Sequence, residues 1–418
     1  MPEDVLLVKL ERRRWITDGP LNDVVDRFVE YFRSHRYSSF TIQGYLKAIA
    51  HFSRWMTTKG FGIENIDEEL IDYFVRFHLP HCKCPAPRSR DVAYVRSGLR
   101  HLRTILKQDG LIDTERPTTR IEKELERFQH FLLNVKGLAQ NTCKSRLSIV
   151  SKFLSRNFET REIDVNTLRI EDIDAFVMDY AERWKPSSLV IVRCSLRSYF
   201  KFRLMLGDQT DSLTAALPNI APYWSRAAIP TFLSSAELQS FLQAFDQSYP
   251  TGLRDYAIAR CMIDLGLRGQ EVAQLCFESF DWRDGTITIS RTKSRRTYRL
   301  PLPQETGKAV VQYLRKGRPS SSSRAMFARH VAPYDKPLTK KAISAAMTQA
   351  FVRCGLFKFT GTHVLRRTLA VRLQQSGVSL KEIADVLRHK DLSTTQVYTR
   401  VDVSALRTVA LPWTGRKS

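Results

Sequence analysis

The sequence predicts a mainly helical α+β chain, with two small helical modules followed by a larger domain that holds a small β-sheet or hairpin. Three observations carry this expectation. Helical spacing runs through the N-terminal half, it recurs there at an offset near 100 residues, and one short alternating run with a partner strand interrupts an otherwise helical C-terminal part.

The elements follow in order. Phe28 to Met56 carries helical spacing through Phe28, Phe32, Thr41, Leu46 and Phe52, and the pattern returns from Leu125 to Leu154 with Thr142, Leu147 and Phe153. Ile71-Asp72-Tyr73-Phe74-Val75 is echoed by Ile173-Asp174-Ala175-Phe176-Val177, and Val95-Arg96-Ser97-Gly98-Leu99-Arg100 by Val192-Arg193-Cys194-Ser195-Leu196-Arg197. The constant offset argues for two copies of one helical module, expected at residues 1–115 and 116–216. Pro218, Pro222 and Pro230 then break helices and mark an extended linker over 217–231. The remaining domain, 232–418, opens with an apolar helical run from Tyr256 to Leu265. Thr286 to Ile289 alternates as a strand and pairs with Tyr298 to Leu302, which places Lys293 at the hairpin turn. Arg318 to Arg324, with four serines, reads as an exposed loop. His363 and Arg366 share one helix face, and a helix from Leu380 to Leu387 leads to His389. A short apolar pattern, Val403, Leu406, Val409 and Leu411, follows Tyr398.

A formal net charge of +23 favours a polyanionic partner held by salt-sensitive contacts. Charge alone does not separate DNA from RNA. Hydrophobic residues make up 43% of the chain, enough for packed cores. No stretch approaches the ~20 apolar residues that span a bilayer, and no signal-peptide pattern opens the chain, so no membrane partner is expected and a cytoplasmic, nucleoid-associated protein is. Seven cysteines without framework spacing fit a reducing compartment. His78-Leu79-Pro80-His81-Cys82-Lys83-Cys84 holds metal-type ligands, but Cys-x-Cys is shorter than the usual Cys-x2-Cys and no second pair follows. It reads as a loop between helices, and neither a metal nor a cofactor is expected.

The chemistry-bearing residues lie in the last 150 or so positions: Arg268, Lys293, His363, Arg366, His389 and Tyr398. Two arginines can clamp the non-bridging oxygens of a phosphodiester, where charge gathers as phosphorus is attacked. A lysine and two histidines supply protons and hydrogen bonds, and the Tyr398 phenol offers an oxygen that can become bonded to phosphorus. Glu271, one turn after Arg268, can orient it. Singly, each has an ordinary reading: a surface arginine, a packing tyrosine, a core or capping histidine. Their joint occurrence, in order and on suitable elements, outweighs those readings.

These residues, in Gly266-Leu267-Arg268 with Glu271, the hairpin Lys293, His363-x-x-Arg366, His389, and Thr395-Gln396-Val397-Tyr398, resemble the tyrosine recombinases, or phage integrase family. The resemblance is close over about 230–410 and loose before it. This sequence departs from the family at Arg388, where glycine commonly precedes the third-motif histidine, and the change is expected to be tolerated. The resemblance implies two helical SAM-like N-terminal domains before an integrase-type catalytic domain, the second being the core-binding domain. It implies a 3′-phosphotyrosyl intermediate with Tyr398 as nucleophile, Arg268, Arg366 and His389 on the phosphate, Lys293 as general acid and His363 assisting at the nucleophile. The partners implied are double-stranded DNA and a homo- or hetero-tetramer on paired sites, with sibling recombinases as an option. Candidate DNA-facing residues are Thr142, Lys144 and Arg146 on one helix of the second module and Arg193 and Arg197 on a later one. Arg36, Thr41 and Lys47 hold similar places in the first module. Element-borne integrase or transposase is the favoured reading, and a type IB topoisomerase-like enzyme or a catalytically idle DNA-binding partner remain open.

Overall fold

The computed structural model describes residues 19–84, 88–112, 119–159, 161–184, 186–219, 231–290 and 297–389. Their packing separates two compact units, one grouping the chain up to residue 112 with the chain from 229 onward, the other made of 113–228. Each helical bundle and the C-terminal part nonetheless closes an apolar core of its own.

The first bundle consists of α1 (Val25–Ser34), α2 (Ser39–Lys59), α3 (Glu68–Tyr73, continued by a π-turn over Phe74–His78) and α4 (Val92–Gln108). Ser38, Asp67 and Asp91 begin α2, α3 and α4 by accepting from the backbone N–H of Thr41, Leu70 and Tyr94, donors that a helix start leaves unpaired. Gly60 ends α2 in the left-handed region, φ 72°. Phe28, Phe32, Phe52, Phe74, Val95 and Leu99 fill the core, each at most 1% exposed. Helices α2 and α4 cross closely because Gly44 faces the Tyr94 ring and Gly98 faces Tyr45. A Cβ on Gly44 would lie 2.3 Å from Tyr94 Cε1.

The second bundle repeats this order with α5 (Arg120–His130), α6 (Gln140–Phe158), α7 (Ile170–Arg183) and α8 (Pro186–Met205), and adds a short α9 (Asp211–Ala216). Phe128, Phe153, Ile173, Phe176, Val192 and Leu196, which match Phe28, Phe52, Ile71, Phe74, Val95 and Leu99 of the first bundle, are all buried. Leu217, assigned to the linker from its neighbouring proline, is instead packed into this core. Residues 220–230 of the expected linker lie outside the described residues.

The C-terminal part comprises α10 (Ser235–Gln243), α11 (Pro250–Asp264), α12 (Gly269–Ala273), α13 (Gln304–Lys316), α14 (Lys340–Arg353), α15 (His363–Gln375) and α16 (Leu380–Leu387). Its sheet is three antiparallel strands in sequence order, β1 (Phe280–Asp281), β2 (Thr286–Ile289) and β3 (Tyr298–Pro301). The expected hairpin is β2 with β3, and Ile289 stands opposite Tyr298. Ile287 and Ile289 point into the core, the period-2 pattern that fixed the register. Helix α11, apolar on several faces, is enclosed over its second half: Ala257, Ile258, Ala259, Cys261 and Met262 are all fully buried. The serine-rich loop is more ordered than its composition implied, since Arg318 donates to the carbonyls of Ser323 (2.7 Å) and Ala325 (3.0 Å). Over the described residues the architecture is thus the mainly helical α+β type with one small sheet.

Candidate active site

The site is assembled around the carbonyl of Gly266, in the turn between α11 and α12. Gly266 has φ 59°, and a Cβ there would press on Leu387 and Leu369 at 2.8 and 3.0 Å, so both the turn and the packing call for glycine. Its carbonyl accepts from the Arg366 guanidinium on α15 and from Arg388 Nη2 (3.1 Å) after α16. Arg366 also donates to the Leu387 carbonyl, so one buried arginine ties together the ends of α11 and α16.

Arg268 begins α12. Glu271, 3% exposed, accepts from the Arg268 backbone N–H (2.9 Å) and its Nη1 (2.8 Å), so it does orient the arginine. Its second oxygen also takes Arg388 Nη2 at 3.1 Å. Burial alone would raise the Glu271 pKa, but Arg388, then the Arg268 backbone and side chain, hold it below the usual range. The carboxylate therefore stays charged between two guanidinium groups.

Arg388 resolves the departure from the family pattern. It occupies the left-handed C-cap of α16 at φ 56°, the conformation in which glycine is easiest. The strain of a side chain there is of order 1 kcal/mol. Bonds to the Leu265, Gly266 and Val386 carbonyls and to Glu271 offset it. The turn is kept, with the His389 N–H bonded to the Ala384 carbonyl at 2.9 Å.

His389 is half-buried. Burial first, then Arg366, Arg268 and Arg388, push its pKa down to about 4. His363 shows an edge to solvent, yet the protein mass around it, then Arg367, Arg366, Lys340 and Arg268, lower its pKa as well. His363 begins α15 one turn before Arg366, and His389 directly follows Arg388, so the two histidines flank the arginines gathered on the Gly266 carbonyl, an electropositive region. Lys340, at the start of α14, is a member that spacing did not reveal: its Cγ lies beside Gly269, and it acts on His363. Nothing in the local sequence of Lys340 marks it, because it is brought in by tertiary packing 23 residues before His363. The structure thus unites Arg268, His363, Arg366 and His389. Lys293 and Tyr398 lie outside the described residues.

The candidate DNA-facing residues divide. Thr142 and Lys144 are exposed on α6. Arg146 donates to Ser198 Oγ (2.8 Å), Arg193 to Asn219 Oδ1 (3.1 Å), and Arg197 is half-buried. In the first bundle Thr41 and Lys47 are half-buried, and Thr41 gives its carbonyl to Tyr94 Oη. Arg36 is held by the C-terminal part, donating to the Ser320 carbonyl (2.9 Å) and lying 5.2 Å from the Tyr334 ring centre. Apart from this site, His51, His78, Cys82 and Cys84 converge in the first bundle. No described helix is long and apolar enough to cross a membrane.

Comparison with known proteins decides what the constellation belongs to. The model of the phage integrase family matches residues 231–404. The y4rA protein of Sinorhizobium fredii, named as an integrase/recombinase, is 31% identical over 403 residues, covering 95% of this chain and 96% of that protein. The chain belongs to the phage integrase family. This tyrosine recombinase is also 28% identical to the tyrosine recombinase XerD of Listeria monocytogenes, over 68% of this chain and 96% of that one. Among solved structures, XerH recombinase bound to palindromic difH shares the fold with TM-score 0.55 at 17% identity, covering 72% of this chain and 98% of that one. A lambda integrase dimer bound to a core site gives TM-score 0.53 at 18% identity, over 66% and 94%. The chain is a site-specific recombinase, an enzyme that cuts and rejoins DNA, and DNA is its partner.

Proposed function

We propose that this recombinase is the integrase or transposase of a mobile element and acts through a 3′-phosphotyrosyl intermediate on Tyr398. The observation that carries the reading is the convergence of Arg268, Arg366, His363 and His389 on one electropositive region. Tyr398 Oη attacks the scissile phosphorus, the P–O5′ bond breaks, and the leaving 5′ oxygen takes a proton from Lys293. His363, kept neutral by its surroundings, receives the phenol proton. Arg268 and Arg366 hold the non-bridging oxygens, and His389 donates a further hydrogen bond as charge builds. A 5′-hydroxyl from a partner strand then reverses the steps. One phosphodiester is exchanged for another, so no external energy source enters the balance.

In this reading residues 116–216 form the core-binding domain and 1–115 an additional DNA-binding or protein-contact domain, joined through 217–231 to the catalytic domain at 232–418. Thr142 and Lys144, exposed on α6, are the best placed of the candidate DNA contacts. Four subunits on two paired sites would complete recombination. In solved structures of the same fold, lambda integrase is bound to its core site as a dimer and XerH is bound to palindromic difH. A working partnership with sibling recombinases is supported by two proteins of one Sinorhizobium fredii strain, y4rA and y4rF, that match this chain over 95% and 96% of its length. The cytoplasmic nucleoid is the corresponding place of work.

The test is covalent trapping on nicked suicide DNA taken from the ends of the element that encodes the chain. Wild type should give a denaturation-resistant adduct and Tyr398→Phe none. An adduct that persists in Tyr398→Phe would refute the nucleophile. Lys293→Ala should cleave ordinary DNA poorly and be rescued by a substrate with a better 5′ leaving group; full cleavage without rescue would remove Lys293 as the acid.

A further inference from the structure

The sequence read His78 to Cys84 as a loop lacking a second ligand pair. The structure supplies the missing group from upstream: His51, on α2. Its Nε2 lies 3.0 Å from Cys82 Sγ and 3.3 Å from His78 Nε2, and Cys84 Sγ lies 3.5 Å from His78 Nε2. All four ligand atoms fall within 4.8 Å of one another. Zinc bonds of about 2.0–2.1 Å to nitrogen and about 2.3 Å to sulfur give tetrahedral edges of about 3.3 Å between two nitrogens and about 3.6 Å between nitrogen and sulfur. The 3.3 Å and 3.5 Å separations match those edges before any ion is placed, and the 3.0 Å between His51 Nε2 and Cys82 Sγ is shorter than its edge by about 0.6 Å.

We propose that His51, His78, Cys82 and Cys84 bind one Zn²⁺ in a closed, tetrahedral structural site of the first bundle. Two imidazoles and two thiolates are the donor set that suits zinc, and four protein ligands leave no open position for chemistry. Two thiolates balance the ion's charge, which matters because His51 is fully buried and Cys82 is 3% exposed. The surrounding groups fix the ligands. Phe74 lies edge-on to His51 at 5.1 Å and stacks on His78 at 5.1 Å. Arg88 donates to the Cys84 carbonyl and Arg90 to the Cys82 carbonyl (3.1 Å), so the backbone bearing the thiols is held from the segment that leads into α4. The ion would thereby staple the α3–α4 connection to α2.

The second bundle is an internal control. The positions matching His51 and His78 are Lys152 and Tyr180, which also touch, Lys152 Nζ to Tyr180 Oη at 3.3 Å. The helical architecture brings these two positions together in either bundle, but only the first places metal ligands there and adds two cysteines.

The experiment uses the full chain without a histidine tag, grown with zinc and measured by elemental analysis and, after exchange, by cobalt spectroscopy. Wild type should carry one zinc per chain, and its cobalt form should show tetrahedral d–d bands with thiolate charge transfer. Cys82→Ser should lose the metal, while Cys194→Ser, an exposed cysteine elsewhere, should keep it. Because Cys82→Ser could also unfold the bundle, Cys84→His provides a ligand-preserving arm: one metal per chain and about half the thiolate charge transfer. Absence of stoichiometric metal from wild type, metal content indifferent to Cys82→Ser, or an unchanged cobalt spectrum in Cys84→His would each overturn the site. None of these readouts depends on Tyr398 or on DNA cleavage.

Discussion

On α2 of the first bundle His51 meets His78 at 3.3 Å, and on α6 of the second bundle Lys152 meets Tyr180 at 3.3 Å. The backbone relation is the same and the side-chain chemistry differs, which separates what the helical order dictates from what each bundle adds. Lys152 is exposed, so its bond to Tyr180 adds little. The second bundle places its buried polar groups elsewhere: Glu124, 5% exposed, accepts from Tyr199 Oη (3.0 Å) and Arg203 Nη1 (2.8 Å), while Arg203 Nε pairs with Asp208 (2.6 Å). Burial and then the Glu124 charge push the Tyr199 phenol far upward, so it stays a hydrogen-bond donor. One bundle is thus closed by a ligand cluster and the other by an ion network between α5 and α8.

The largest expected effect follows from breaking the first of these. His51→Ala should destabilise residues 19–112 by on the order of 5 kcal/mol or more, because metal-site free energy is folding free energy. Lys152→Ala should stay within about 0.5 kcal/mol. Hydrogen exchange resolved along the chain reads both, and equal protection losses would end the contrast. Next in size is Glu124→Ala. It leaves Arg203, only 12% exposed, with Asp208 alone and Tyr199 without its acceptor. A loss of about 3 kcal/mol is expected from disrupting a buried charge pair, visible as a lower urea midpoint. A neutral result would mean that Asp208 alone satisfies Arg203.

The C-terminal part instead joins a buried carboxylate, Glu271, to strained backbone at Arg388. Arg388→Gly should lower stability by about 2 kcal/mol, since relief of about 1 kcal/mol at φ 56° offsets only part of the roughly 3 kcal/mol lost with the buried ion pair to Glu271. Cleavage should slow by about tenfold, about 1.4 kcal/mol, because Glu271 is then free to shift relative to Arg268. Single-turnover cleavage of suicide DNA measures this, and a wild-type rate would confine Arg388 to filling the turn. The same pocket gives a pH test. With His389 pushed down to about 4 when free of DNA, its imidazole resonance should titrate well below 6.5 and move upward when a DNA phosphate neutralises the neighbouring arginines. No movement on binding would place the phosphate away from His389.

Much of the C-terminal part was legible because its signals are local. Leu380–Leu387 has the spacing of one helical face ended by a cap, and the alternation of Thr286–Ile289 specifies a strand with one face buried. His363 and Arg366 lie one turn apart, so helix geometry alone places them together. His51 and Lys340 were not legible, since 27 residues separate His51 from His78 and Lys340 approaches His363 only through the packing of α14. Spacing rules for metal ligands assume a second pair downstream, whereas here the fourth ligand lies upstream on a neighbouring helix. Arg388 was visible as a departure, but its compensation depends on carbonyls more than 120 residues away.

The smallest effect tests the closest structural difference between the bundles. Gly44 on α2 faces the Tyr94 ring, whereas the matching residue on α6 is Ser145, exposed and donating to the Asn141 carbonyl at 3.1 Å. Gly44→Ser copies the second bundle into the first. The helix itself gains, as serine is a better helix former than glycine by about 0.5 kcal/mol. The new Cβ would meet Tyr94 at 2.3 Å and force its ring away, at the loss of the Tyr94 Oη bond to the Thr41 carbonyl (3.2 Å). Overpacking of that kind costs about 1–3 kcal/mol, so the net should be a destabilisation of about 1 kcal/mol. Ser145→Gly, with no ring to meet, should lose only about 0.5 kcal/mol through helix propensity. Calorimetric melts of the two variants distinguish the terms. A stabilised Gly44→Ser would show that Tyr94 swings aside freely and that propensity, not the close crossing of α2 and α4, governs this position.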